Sequence, residues 1–297
     1  LVALRKAYHE GVDSWQAIQH VRFGPVEYLS RAQRFAFWPD NRNAVGRAIG
    51  ELLAARDPTA LAPSAFAKGN VAIQGFPAME RLLFDADAPA RIGAADADGG
   101  FRCAFLLAIA GNLATMAREV VDGWTRGEDA YARAIAGAGP DGAIYRHPKE
   151  ATLDLIKSLH LSVEIVADHK LARPLGASLQ AARPRLAESW RSERSLANVR
   201  IDLQAGAAMI DTAGGFADAT VAAGDAPLAD LLRRAFAQTL STARGIAGTL
   251  EAAVADKRRR PAVERLRTET AALKALIARR LTAALDVPIG FNALDGD

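Results

Sequence analysis

The sequence predicts an all-α protein built from two helical bundles. Three observations carry that expectation. Apolar residues recur at offsets of three and four along most of the chain, which places them on one face of a helix. Segments that alternate as strands do are nearly absent, and alanine, the best helix former, fills the gaps between apolar positions.

The elements follow in order. Leu1, Leu4, Tyr8, Trp15 and Ile18 mark a first helix. Phe101, Phe105, Ala108, Ile109, Asn112, Met116 and Val120 mark a second long one, and Leu153, Ile156, Val163 and Val166 a third. The cleanest stripe runs Leu228, Leu231, Leu232, Ala235, Phe236, Ala243, Ile246, Ala247 and Leu250, a face turned to a core. Leu266, Leu273, Ile277 and Leu281 mark the last helix. Punctuation comes from Gly/Pro/Asp-rich stretches at 85–100, 137–148 and 211–227 and from the tail after Asp286. The stretch at 137–148 divides the chain best, into an N-terminal bundle of residues 1–137 and a C-terminal bundle of 138–297. Each half interrupts a helical run, at Phe23-Gly24-Pro25 and at Pro174-Leu175-Gly176.

Composition excludes several classes. The chain has 297 residues, half of them hydrophobic and 24% charged, with Lys+Arg 37 against Asp+Glu 34. It is long enough to bury a large core, and no polyanionic partner such as nucleic acid is required. No uninterrupted apolar run reaches the roughly 18 residues of a membrane span. A single cysteine rules out an internal disulfide framework and a Cys-based zinc or cluster site. The chain begins at Leu1, already in helical periodicity, and reads as a processed or trimmed form.

Familiar catalytic signatures are missing: there is no GxxxxGK[ST], no GxGxxG after a strand and no GxSxG. His9-Glu10-Gly11-Val12-Asp13 begins like a zincin helix, but Asp13 stands where a second histidine is needed, so a polar helix flank is expected. Lys257-Arg258-Arg259-Arg260-Pro261 reads as a solvated turn between helices. His160, Glu164 and Asp168 share one helical stripe, which could coordinate a metal or simply face water. His20 and His147 have no acidic partner at ligand spacing.

Two segments are unusual. Arg22-Phe23-Gly24-Pro25 and Arg34-Phe35-Ala36-Phe37-Trp38-Pro39-Asp40, with Arg42, crowd aromatics and arginines around helix-breaking prolines. Such aromatics should be packed, and arginines beside them need carboxylates or an anionic ligand. In Gln74-Gly75-Phe76-Pro77-Ala78-Met79-Glu80, Pro77 suits a first helical turn and Glu80 follows on a core-facing turn. A carboxylate there either pairs with arginine or serves as a ligand.

Together these segments resemble the imelysin family of bacterial exported proteins. The resemblance rests on Arg22-Phe23-Gly24-Pro25, Phe37-Trp38-Pro39-Asp40 and Gln74 to Glu80. The spacings of Leu171 to Gly176 and Ser192 to Ser195 support it, as does the closing Gly290-Phe291-Asn292-Ala293-Leu294-Asp295-Gly296-Asp297. It implies two helical-bundle domains with a site at their interface. It also implies a periplasmic or outer-membrane-anchored location, reached by a signal peptide or by a lipid anchor missing from this chain, and a part in iron uptake. Some members carry an old assignment as metallopeptidases. The family's GxHxxE motif reads Gly75-Phe76-Pro77-Ala78-Met79-Glu80 here, with proline in the histidine position. Proline offers no lone pair to a metal, so the nitrogen ligand is lost.

The expected binding residues are Arg22, Gly24, Pro25, Arg34, Trp38, Asp40, Gln74, Gly75, Glu80, Arg191 and Ser195. Trp38 would form a wall, Glu80 would be the metal ligand, and the arginines would hold an anion or a chelated metal. Iron is the metal implied, and an envelope protein is the implied partner. Two alternatives stay open: a structural or interaction module without a small ligand, and a metallopeptidase.

Overall fold

A computed structural model describes residues 1–287, whose regular elements are all helices, with no strand among the described residues. The closing Gly290–Asp297 segment lies outside them. In order the helices are α1 (Val2–Gln16), α2 (Arg31–Phe35), α3 (Ala44–Ala55), α4 (Pro63–Lys68), α5 (Phe76–Phe84), α6 (Ala88–Arg91), α7 (Ala97–Thr125) and α8 (Tyr131–Ala136). Then come α9 (Pro148–Glu164), which runs on into a π-helical segment (Ile165–Leu171), and α10 (Ala172–Leu175). They are followed by α11 (Ser195–Asp211), α12 (Phe216–Ala222), α13 (Ala226–Gly245), α14 (Leu250–Val254) and α15 (Arg260–Leu276). A second π-helical segment (Ile277–Leu281) and α16 (Thr282–Ala284) close the described chain.

The chain forms two compact units. Unit 1 comprises Leu1–Trp15 and Arg22–Arg133; unit 2 comprises the short segment Gln16–Val21 and the described chain from Ala134 onward.

In unit 1, α7 packs against α3, α4 and α5. Its core gathers Tyr8, Val12 and Trp15 of α1, Phe35, Val45 and Ile49, Leu82 and Leu83, and Phe105, Ile109 and Met116 of α7. Phe105 is wholly buried, and a side chain so placed contributes about 1.5–3 kcal/mol by leaving water. The buried face of α1 is thus Tyr8, Val12 and Trp15; Leu4 and Ile18 are exposed, Ile18 because the helix has already ended at Gln16. The α7 helix has the length and hydropathy of a membrane span, which the sequence reading did not expect, because Gly and Ala rather than large apolar residues fill much of it. Five of its large residues, Phe105, Leu106, Ile109, Leu113 and Met116, lie in the core of unit 1. Asp96 starts α7 by accepting from the Gly99 N–H at 2.8 Å, satisfying one of the donors every helix leaves open.

Unit 2 is a ring of four long helices: α9 packs on α11, α11 on α13, α13 on α15, and α15 back on α9. Ile156, Val163, Leu203, Leu228, Leu232, Phe236, Leu266 and Leu273 meet at its centre, as the stripes along those helices require. Two expectations are corrected here. The stripe from Leu228 to Leu250 is not one helix: α13 ends at Gly245, Gly248 turns the chain at φ 74°, and Thr249 caps the separate α14. The stretch 211–227 is not all loop, since α12 lies within it and Pro227 sits in the first turn of α13, where no N–H is needed.

Candidate functional site

The motif around Glu80 is built by helix-start chemistry. Gly75 is extended and precedes α5, and Pro77 occupies the first turn. A Cβ on Gly75 would stand 2.2 Å from the Phe35 carbonyl oxygen and 2.4 Å from that of Arg34. Only glycine lets these two backbones meet. Glu80 then lies buried on α5, on the helix face it shares with the core residues Phe76 and Leu83.

Arg34 is held just across that contact. Its Nε donates to Gln74 Oε1 at 2.7 Å, and its Nη2 donates to the Ala67 carbonyl at 3.0 Å. Gln74 in turn donates to the carbonyls of Phe66 and Gly69. Every hydrogen-bond partner of Arg34 among the described residues is a neutral oxygen. Burial depresses the Arg34 pKa and the neighbouring Arg31 depresses it further, against an opposing pull from the Glu119 carboxylate. Arg31 is better compensated: it donates to the Pro25 carbonyl and to Glu119, both at 2.7 Å.

The remaining unit 1 candidates each have a place. Arg22 lies over the Trp15 ring at 5.7 Å, and Trp15 stacks on Phe35. Gly24 adopts φ 69° beside the Tyr131 ring, in an aromatic group completed by Phe23 and Trp124. Pro25 packs where Gly123 leaves room on α7. Trp38 is half-buried and precedes a cis peptide to Pro39. Asp40 accepts from the Ala44 and Val45 N–H groups at 2.7 and 3.0 Å, so its carboxylate secures the start of α3.

Arg191 and Ser195 belong to unit 2. Arg191 lies 4.3 Å over the Trp190 ring, whose other neighbour is Arg185. Ser195 donates to the Glu188 carbonyl at 2.6 Å and also contacts the Glu251 carboxylate. Burial pushes the Glu251 carboxyl up, against the opposing pull of that hydroxyl.

A buried cluster went unread in the sequence. Lys170, on the π-helical segment, bonds Asp202 of α11, Glu188 at 2.9 Å, and Gln16. Gln19 donates to the other Asp202 oxygen at 2.8 Å, and Asn198 donates to Glu188 at 2.9 Å. Lys170, Asp202 and Asn198 are at most 1% exposed. Burial alone would lower the Lys170 pKa, but Asp202 and Glu188 outweigh it and hold it up. Burial pushes the Asp202 carboxyl up to about 7, with Lys170 pulling down and Glu188 pushing up. No local signal marked it, since Lys170 ends the polar run Asp168-His169-Lys170, which reads as a solvated helix face.

Other candidates resolve differently. His160 stands 3.5 Å from Glu164, whereas Asp168 pairs with Lys274. Among the described residues no group of three His, Cys, Asp or Glu is placed to hold a metal. His9 stacks on Phe84, and His147 caps α9 together with Glu150. Arg260 departs from the expected solvated turn: it is buried, donating to the Leu175 carbonyl at 2.8 Å and to Glu264 at 2.6 Å.

Two all-α units, one a four-helix ring, with a glycine-led helix start carrying Pro77 and Glu80, define the class. The chain belongs to the imelysin family, whose pattern it matches over residues 1–277. A solved imelysin-like protein from Psychrobacter arcticum 273-4 has the same fold, with a TM-score of 0.75 at 22% identity, covering 97% of this chain and 82% of that one. No curated protein matches the chain.

Proposed function

We propose that this chain is a cell-envelope binding protein of the imelysin kind that serves iron uptake and catalyses no reaction. The observation that carries the binding reading is Arg34. A buried guanidinium whose hydrogen bonds among the described residues all go to neutral oxygens, with Glu119 acting on it only through space, leaves positive charge for an anion or an anionic metal chelate to meet. Glu80, buried on the neighbouring helix, is the retained carboxylate of the motif. Pro77 in the histidine position argues against a water-activating metal, which needs a fixed ligand set with an open position. The envelope location and the iron cargo rest on the family.

The test is calorimetric titration of the wild-type protein and Glu80→Ala, with iron(II) under anaerobic conditions and with iron(III) citrate in air. Saturable binding that falls at least tenfold in Glu80→Ala is the expected result. Heat in neither protein would overturn the iron reading. A companion variant probes the motif itself. Pro77→His restores an imidazole one turn before Glu80, on the same side of α5, and is expected to bind iron(II) at least tenfold more tightly than wild type.

A second reading has its own support. Asp40 starts α3, Gln74 orients Arg34, and Gly75 permits a backbone contact. A purely structural module would use these motif residues in the same way. Absence of binding by any small anion or iron chelate, with the unfolding of Asp40→Ala and Gln74→Ala shifted downward, would favour it.

A further inference from the structure

The Lys170 cluster sets one ammonium against two carboxylates in the interior of unit 2. Lys170 and Asp202 are each 1% exposed and Glu188 is 6% exposed. Three ionised groups would leave one uncompensated negative charge where water cannot solvate it, and such a charge is removed by taking up a proton. Asp202 is the group placed to take it. Each carboxylate meets Lys170 and one amide, Gln19 for Asp202 and Asn198 for Glu188, but Asp202 lies deeper, so its charge is the costlier to keep. Asp202 accordingly titrates near 7, through burial first, then the opposed effects of Lys170 and Glu188.

The cluster does more than balance charge within the helical ring. Gln16 and Gln19 come from the short segment Gln16–Val21, which belongs to unit 2 although the chain on both sides of it belongs to unit 1. Gln16 accepts from Lys170, Gln19 donates to Asp202, and Gln19 also donates to Gln16. Gln16 and Gln19 are buried as well. The segment is therefore tied to unit 2 through the same groups that share the proton.

We propose that Lys170, Glu188 and Asp202 form a proton-binding site that latches the Gln16–Val21 segment onto unit 2, closed when Asp202 carries a proton and loosened when it loses it. Lys170 and Glu188 are the charged groups that face Asp202. On the elements packed around them the charges turn to other partners: Lys274 of α15 to Asp168, His160 of α9 to Glu164, and Glu251 of α14 to Ser195. Arg173 of α10 acts on His169, whose pKa is lowered by burial first and by that arginine second. His20, buried in the segment itself, is the one further titratable group on it.

The sign follows from linkage. A carboxyl whose pKa is raised on folding stabilises the closed form below its ordinary range, and that contribution is lost as pH rises through its folded value. Hydrogen exchange of the Gln16–Val21 amides, corrected for the intrinsic effect of pH on exchange, reads the latch directly. In the wild-type protein protection is expected to fall by up to about tenfold per pH unit between pH 5 and 7 and to level off above that. Asp202→Asn keeps the shape and removes the titrating group, so its protection should be flat over the same range. Glu188→Gln removes the competing carboxylate, lets Lys170 pair fully with Asp202, and should flatten the profile as well. A wild-type profile without slope would overturn the proposal. So would either variant retaining the full wild-type slope, and Glu188→Gln decides the matter if Asp202→Asn does not fold.

Discussion

Replacing Lys170 with methionine is expected to destabilise unit 2 by about 3–5 kcal/mol, the cost of breaking a buried ion pair by removing one partner. The methionine fills a similar volume, so the loss is electrostatic rather than a cavity effect. Glu188 and Asp202 would face one another with no cation between them, and Gln16 would lose its donor. The loss should be smaller at pH 5, where a proton can neutralise Asp202, than at pH 8. Urea unfolding at both pH values, followed by far-UV circular dichroism, measures it. An unchanged midpoint at pH 8 would show that the cluster is not what holds this interior together. Lys170→Arg keeps the charge but brings a planar fork into a site fitted to a compact ammonium, and it should lie between methionine and wild type.

The second large effect is expected at Gly75. Gly75→Ala would drive a methyl group to within 2.2 Å of the Phe35 carbonyl oxygen and 2.4 Å of that of Arg34. Both neighbours are backbone, so neither can swing away as a side chain would. Overpacking of this kind costs about 1–3 kcal/mol or more. Here the forced separation would also pull Arg34 from Gln74, two residues whose bond spans this contact. The variant should unfold at markedly lower urea than wild type. Gly50→Ala is the control, since a Cβ there meets nothing within 4 Å and lies in the interior of α3, where alanine is the better helix former. A Gly75→Ala protein as stable as wild type would show that the two backbones are free to part.

These two positions differ in how far the sequence disclosed them. Gly75 was singled out by its place in the motif, as a binding residue, and its use in letting two backbones meet needed the carbonyls of Arg34 and Phe35 in place. Lys170 passed unnoticed. Its partners lie 18 and 32 positions ahead of it and 154 behind it, and no local pattern ties those positions together. Asp40 and Gln74 were read as binding residues on composition and resemblance, and tertiary contacts give both a use within unit 1 as well. Arg260 looked like part of a solvated basic turn, yet it is buried because it reaches the Leu175 carbonyl, 85 residues away.

The sequence by itself determined the all-α class, the helices carrying the main core stripes, and membership of the imelysin family, because helical periodicity and short motifs are local properties of a chain. Tertiary structure decided the rest. It set where helices break without losing their buried face, as at Gly248, and which charges meet, as at Lys170. It also left Arg34 in the company of neutral oxygens. Those outcomes depend on the distance and burial of groups far apart in sequence, and a buried charge is governed by its surroundings rather than by its neighbours along the chain.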